Sequence, residues 1–186
     1  SLIMPEYVNS GKESVQVGSS FFRGLYCAGF PAEVSNNWLW KLASEKGNVD
    51  FSIFVTPTSV YASQIYLNDE LKRVNFDLYR YESKGVPNPS LEERKRELEE
   101  SLKALVAGEY KHFQAALYLL AKGETESKAV TLSKKVRSSL GGEGIESEYA
   151  TFYQEPLFKS VIPAGTNCLK GKENIIPDDG LAASFP

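Results

Sequence analysis

The chain has little of what metal or nucleophilic chemistry uses. Its 186 residues include one histidine and two cysteines. His112 alone cannot build a multi-histidine metal site or work beside a second histidine, so it reads as a structural or surface residue on a strand face with Tyr110 and Gln114. Cys27 and Cys168 are far apart and lack CxxC spacing, so neither a zinc motif nor a disulfide framework can be read. They fit reduced thiols in a cytosolic protein. No apolar run approaches the roughly 20 residues of a spanning helix; the longest, Ala115 to Ala121, has the length of a strand. Positive charge is not in excess either. A net charge of -3 and a pI near 5.4 speak against a surface built to neutralise nucleic-acid phosphates. The first residues, Ser1 to Glu13, lack the basic region and apolar core of a secretory leader. Apolar residues at 42% and charged residues at 24% are ordinary for a folded soluble domain.

What is present is pattern. Between Leu25 and Val55 the chain writes a strand, a turn at Gly29 and Pro31, a helix capped by Ser35 with Trp38, Leu39 and Leu42 on its apolar face, a stop at Gly47-Asn48, and a second strand. In that strand Val49, Phe51, Ile53 and Val55 alternate with polar residues, as a half-buried strand does. Upstream, residues 13–18 and 20–28 read as two strands joined at Gly18-Ser19.

After Pro57 the period lengthens to that of a helix, with Thr58 as the expected N-cap and Leu67, Leu71, Val74, Leu78 and Tyr81 at heptad spacing. Gly85 to Pro89 breaks it. A second helix is expected from Ser90, which forms a capping box with Glu93, and Leu91, Leu98, Leu102 and Leu105 carry a matching seam. Glu92 with Arg96 and Lys95 with Glu99 are spaced for i,i+4 ion pairs on a solvated face. Tyr61, Tyr66, Phe76, Tyr79 and Tyr81 are too many aromatics for one seam; Trp40, Tyr79 and Tyr81 are candidate partner contacts.

A strand follows from Tyr110 to Lys122, with Phe113, Ala115, Leu117 and Leu119 on one face. A helix is expected over 125–140, then a strand near 145–152, a short helix near 156–161 and an extended tail. The fold expected is α+β: a ferredoxin-like antiparallel sheet in which two βαβ units flank a projecting antiparallel coiled-coil hairpin at about 58–107, with an extra N-terminal strand and helices on one face. One domain would occupy 1–163, and 164–186 would be an extended segment.

Gly165 to Glu173 superficially resembles a phosphate-binding loop, but five residues separate its glycines and Glu173 stands where Ser or Thr should follow the lysine. The residues offer no catalytic, metal or cofactor set. A single-stranded nucleic-acid-binding sheet remains an alternative reading, though net charge makes nucleic acid an unlikely partner. A small enzyme using Cys27 or His112 is a third.

Gly29-Phe30-Pro31, Val34-Ser35 with Trp38-Leu39, and Gly47-Asn48-Val49-Asp50 with Ser52-Ile53 stand in an order that resembles the N-terminal domain of the conjugation ATPases of type IV secretion systems. Phe152, Gln154 and Phe158, within the stretch from Thr151 to Pro163, continue the resemblance, which spans nearly the whole chain. It implies a non-catalytic module with no cofactor of its own, next to an ATPase domain this chain does not contain. The partners it implies are secretion-system membrane proteins, that ATPase domain, or further copies in a homo-oligomer. The implied location is cytoplasmic, peripheral to the inner face of the cytoplasmic membrane.

Overall fold

The computed structural model describes residues 7–30, 39, 48–109, 111–163 and 165–183. Twelve elements follow in order: β1 (Val8–Ser10), β2 (Val15–Val17), β3 (Ser20–Gly29), β4 (Val49–Pro57), α1 (Val60–Glu82), α2 (Pro89–Ala107), β5 (His112–Gly123), α3 (Glu126–Gly142), β6 (Glu146–Tyr149), α4 (Gln154–Val161), β7 (Asn174–Pro177) and α5 (Asp178–Ala182). Of the helix expected from Ser35, only Leu39 is described; it is helical and buried. Pro31, Val34, Ser35, Trp38, Trp40 and Tyr110 lie outside the described residues. The chain divides into two compact units, residues 1–55 with 114–186, and residues 56–113.

The first unit is an α+β assembly on a mostly antiparallel sheet. Its path runs β1-β2-β3-β5-β4, with β6 also paired to β3 and β7 to β5. Leu25 faces Leu119 of β5 on one edge of β3 and Tyr149 of β6 on the other. Phe22 faces Lys122 of β5 and Val15 of β2. β2 and β6 therefore share one edge of β3, end to end.

The sheet is covered on both faces, which corrects the expectation of helices on one. Cys27, Leu117 and Leu119 pack with Val136 and Leu140 of α3, together with Leu39 and Ile145. Tyr26, Ala116, Tyr118 and Leu120 pack instead with Leu157 of α4, Ala150 and Leu169. The reason lies in β5, where residues 115–121 are all apolar and all buried. Successive side chains point to opposite faces, so a continuous apolar run fills two cores. β4 departs from its expected alternation: Val49 and Ile53 pack on the first core and Phe54 on the second, while Phe51 and Val55 stay exposed. At the end of the strand path, β4 has less to pack against. The segment after residue 163, expected to be extended, forms β7 and α5.

In the second unit α1 and α2 pack through Leu67, Val74, Leu78, Leu98 and Leu105, flanked by Tyr66, Leu71, Leu91 and Leu102. The seam residues are those the heptad spacing singled out, but the caps differ. Ser59, not Thr58, caps α1, its hydroxyl accepting from the Ala62 N–H at 3.2 Å. The Thr58 N–H is already used, donating to the His112 carbonyl at 3.0 Å. Asn88, not Ser90, caps α2, with Pro89 at the first helical position, where its missing N–H costs nothing. Instead of the i,i+4 pairs expected on α2, Arg96 pairs with Glu93 and Arg94 with Glu97, both at i,i+3. Tyr66 meets the buried His112 ring edge-on at 5.9 Å, whereas Tyr61, Phe76, Tyr79 and Tyr81 are exposed.

The cap assignment is testable by urea unfolding. Ser59→Ala should lower stability by about 1 kcal/mol. Thr58→Val, which removes a buried hydroxyl without a hydrogen-bond partner, should be neutral or stabilising.

Candidate docking surface

The surface is organised by α4, which Gln154 anchors at its N-terminal end. Between the part of β3 that pairs with β2 and the part that pairs with β6, the edge of Gly24 faces no strand. Gln154, 1% exposed, fills that place: its Oε1 accepts from the Gly24 N–H at 2.7 Å and its Nε2 donates to the Gly24 carbonyl at 3.3 Å. The Ala150 N–H donates to the same carbonyl at 3.0 Å. Glycine suits the position opposite, because a Cβ there would stand 2.6 Å from Leu157 Cδ2 and the buried Leu157 side chain would have to shift.

Anchored this way, α4 presents Phe158 to Phe22, ring centroids 5.1 Å apart and edge-on. Past its C-terminus opens the largest of the described clefts, a groove of about 560 Å³. Phe22, Phe51, Leu120, Phe158, Val161 and Ile162 supply its apolar lining. Val49, Asp50, Lys122 and Pro163 complete the wall. Lys122 Nζ lies 5.8 Å from the Phe22 ring centroid.

The structure thus gathers Val49, Asp50 and Phe158 in the groove and puts Gln154 and Phe152 at the opposite end of α4. Gly29 lies elsewhere, where the β3–β6 register shifts. The Asn48 carbonyl accepts from the Lys122 N–H at 2.9 Å. Tyr79 and Tyr81 belong to the second unit, where Tyr81 lines a separate cleft of about 360 Å³ with Asp77, Arg80 and Leu91. Sequence reasoning missed Phe22, Phe51, Lys122 and Ile162. Only Phe51, in a strand too apolar for a solvent edge, carried a local signal.

On the same sheet face the segment 167–174 is strapped down by polar contacts. Tyr118 O–H lies 2.6 Å from the Leu169 carbonyl and 2.9 Å from Asn167 Oδ1. Lys172 Nζ donates to the Tyr26 hydroxyl at 2.9 Å, and that hydroxyl donates to Glu148. Asn174 donates to the Cys27 carbonyl at 3.0 Å. Burial, and next the Glu148 hydrogen bond, raise the Tyr26 pKa; the bond to Tyr26 raises that of Lys172. Burial pushes Tyr118 up to about 12.

Two candidates for chemistry take structural places. Burial pushes the Cys27 thiol up to about 12, so it carries a proton at neutral pH. Within the loop that resembles a phosphate cradle, the Glu173 carboxylate accepts from the Gly171 N–H at 2.8 Å and from Asn167 Nδ2 at 3.1 Å. The backbone donor a phosphate would need already serves an anion. Among the described residues no group of three or more His, Cys, Asp or Glu side chains is placed to hold a metal ion. No described helix is long and apolar enough to cross a membrane. No protein-family model matches the chain, and no curated protein is detectably similar to it in sequence.

Two outcomes follow from this geometry. Gln154→Ala strands the buried Gly24 N–H and should cost about 1–3 kcal/mol in urea unfolding, and Gly24→Ala should cost about as much through the Leu157 overlap. Because the folded state holds the Tyr118 proton more tightly than the unfolded chain, its stabilisation is complete below pH 10 and is lost as pH rises toward 12. Tyr118→Phe should reduce, not abolish, the fall in unfolding free energy across that window, since the raised pKa values of Cys27, Tyr26 and Tyr66 contribute to the same fall.

Proposed function

We propose that this chain is a non-catalytic docking module of a conjugation-type secretion ATPase, acting by protein contacts at the inner face of the cytoplasmic membrane in DNA transfer. The observation that carries the reading is where the motif residues fall. Val49, Asp50 and Phe158 line an open groove with both aromatic and polar walls, and Gln154 helps fix the helix that shapes it. An open groove that combines Phe22, Phe51 and Phe158 with Asp50 and Lys122 at its wall suits a protein partner, since protein contacts join aromatic anchors to a polar rim.

The strand order β6-β3-β5-β4, with antiparallel pairing on both sides of β3, supports a ferredoxin-like sheet. The leucine seam of α1 and α2 supports a coiled-coil hairpin inserted in it. Cys27, held protonated, and Glu173, seated on the Gly171 N–H, favour a module without nucleotide chemistry of its own.

The test is photo-cross-linking in the native host from a reactive analogue placed at Phe51, with the adducts identified by mass spectrometry. Adducts with channel proteins of a secretion machine, or with its ATPase, are expected. Adducts confined to unrelated cytosolic proteins, or ATP hydrolysis by the purified chain above background, would overturn the proposal. A P-loop encoded downstream of Pro186 in the same reading frame is the expected genomic companion.

A further inference from the structure

β6 pairs with β3 along one side, and no other described strand pairs with it. The Ala150 N–H donates to the Gly24 carbonyl at 3.0 Å, and in an antiparallel ladder the backbone groups of successive residues turn alternately toward the partner strand and away from it. Glu148 therefore faces β3 as Ala150 does, while the Ser147 N–H and carbonyl and the Tyr149 N–H point away. Among the described residues nothing takes those three groups. The Tyr149 carbonyl differs, since it accepts from the Thr151 N–H at 2.7 Å. Ser147 is only 7% exposed, and its buried hydroxyl also has no hydrogen-bond partner. Polar groups kept from water and left unpaired cost free energy that an incoming partner can recover. The register shift falls between Cys27 and Gly29, which puts the extra residue in β3 and leaves β6 regular enough to template another strand.

A cleft of about 390 Å³ borders this edge, lined by residues 145–148 together with Arg137, Gly141 and Gly144. Gly141 has no side chain to close it, and a Cβ there would meet nothing within 4 Å. Charge selects the occupant. Glu146 and Glu148 are exposed and, two residues apart, share one face of the strand. Glu148 accepts from the Tyr26 hydroxyl that also holds Lys172, whereas Glu146 has no ion pair among the described residues. Ser147 and Tyr149 stand on the other face, where the Arg137 guanidinium lies 5.1 Å from the Tyr149 ring centroid. We infer that β6 takes an extended peptide of another protein as an added strand. Its Lys or Arg residues, at alternate positions, face Glu146 and Glu148, and the uncharged or acidic residue between them faces Ser147 and Arg137. A second copy of β6 does not suit this edge, because antiparallel pairing about Ser147 would set each Glu146 against the other copy's Glu148. The edge is separate from the groove beside α4, with which its cleft shares no lining residue.

Fluorescence anisotropy on the whole chain tests this with three labelled peptides: Lys-Thr-Lys-Thr-Lys, Glu-Thr-Glu-Thr-Glu, and the first again with both threonine nitrogens methylated. The basic peptide should bind with a Kd between about 10 µM and 1 mM, and the acidic one should not bind. Methylation keeps the charge but removes the N–H that the Ser147 carbonyl would accept, so it should weaken binding at least tenfold. Glu146→Lys, at an exposed position, should weaken the basic peptide at least tenfold and admit the acidic one, with circular dichroism confirming the fold. Amide exchange at Ser147 and Tyr149 should slow in the bound state. No binding of the basic peptide at 1 mM, equal binding of its methylated form, or a Glu146→Lys variant that keeps the wild-type preference would each overturn the inference.

Discussion

The hydrogen bonds between the Gln154 carboxamide and the Gly24 backbone are the constraint on which the rest of the first unit depends. β3 is served along one edge by two short strands, three residues of β2 and four of β6, and neither reaches Gly24. A backbone N–H buried there without a partner would cost about 1–3 kcal/mol. One side chain with a donor and an acceptor serves both backbone groups, as a strand would. Because that side chain begins α4, closing the sheet edge also seats the helix. Leu157 then reaches into the space left by the missing Gly24 Cβ, and Phe158 turns onto Phe22. The second core, the groove wall and the Phe152 turn all follow from where α4 lands.

Much of this was legible along the chain, and the misses have identifiable causes. The seam of α1 and α2 was readable because heptad spacing is a local property that survives folding. The caps were misassigned by one or two residues because Ser, Thr and Asn all qualify chemically, and which hydroxyl meets a free N–H is set by where the helix starts. The Ser59 hydroxyl reaches the Ala62 N–H, while the Thr58 hydroxyl is buried. Both faces of β5 were written in the run from Ala115 to Ala121, but reading only its alternate residues as core hid the second face.

The docking surface was harder to see. Phe22, Phe51, Leu120 and Phe158 come from three strands and a helix, and no local pattern links them. The sequence marked Phe152, Gln154 and Phe158 only as members of one motif. Within the fold they separate by burial: Gln154 is buried and hydrogen-bonded, Phe158 is packed with one side open, and Phe152 is exposed in a strained conformation.

That separation orders the motif physically. Gln154 is there for the fold, since its amide answers two buried backbone groups. Phe158 serves fold and surface together, since its ring both supports Phe22 and walls the groove. Phe152 meets only Lys12, through its N–H and its ring, and glycine would take its backbone conformation without strain. Strain at an exposed aromatic persists in a sequence when something outside the domain repays it, so within this motif the residue least useful to folding is the one most informative about contact.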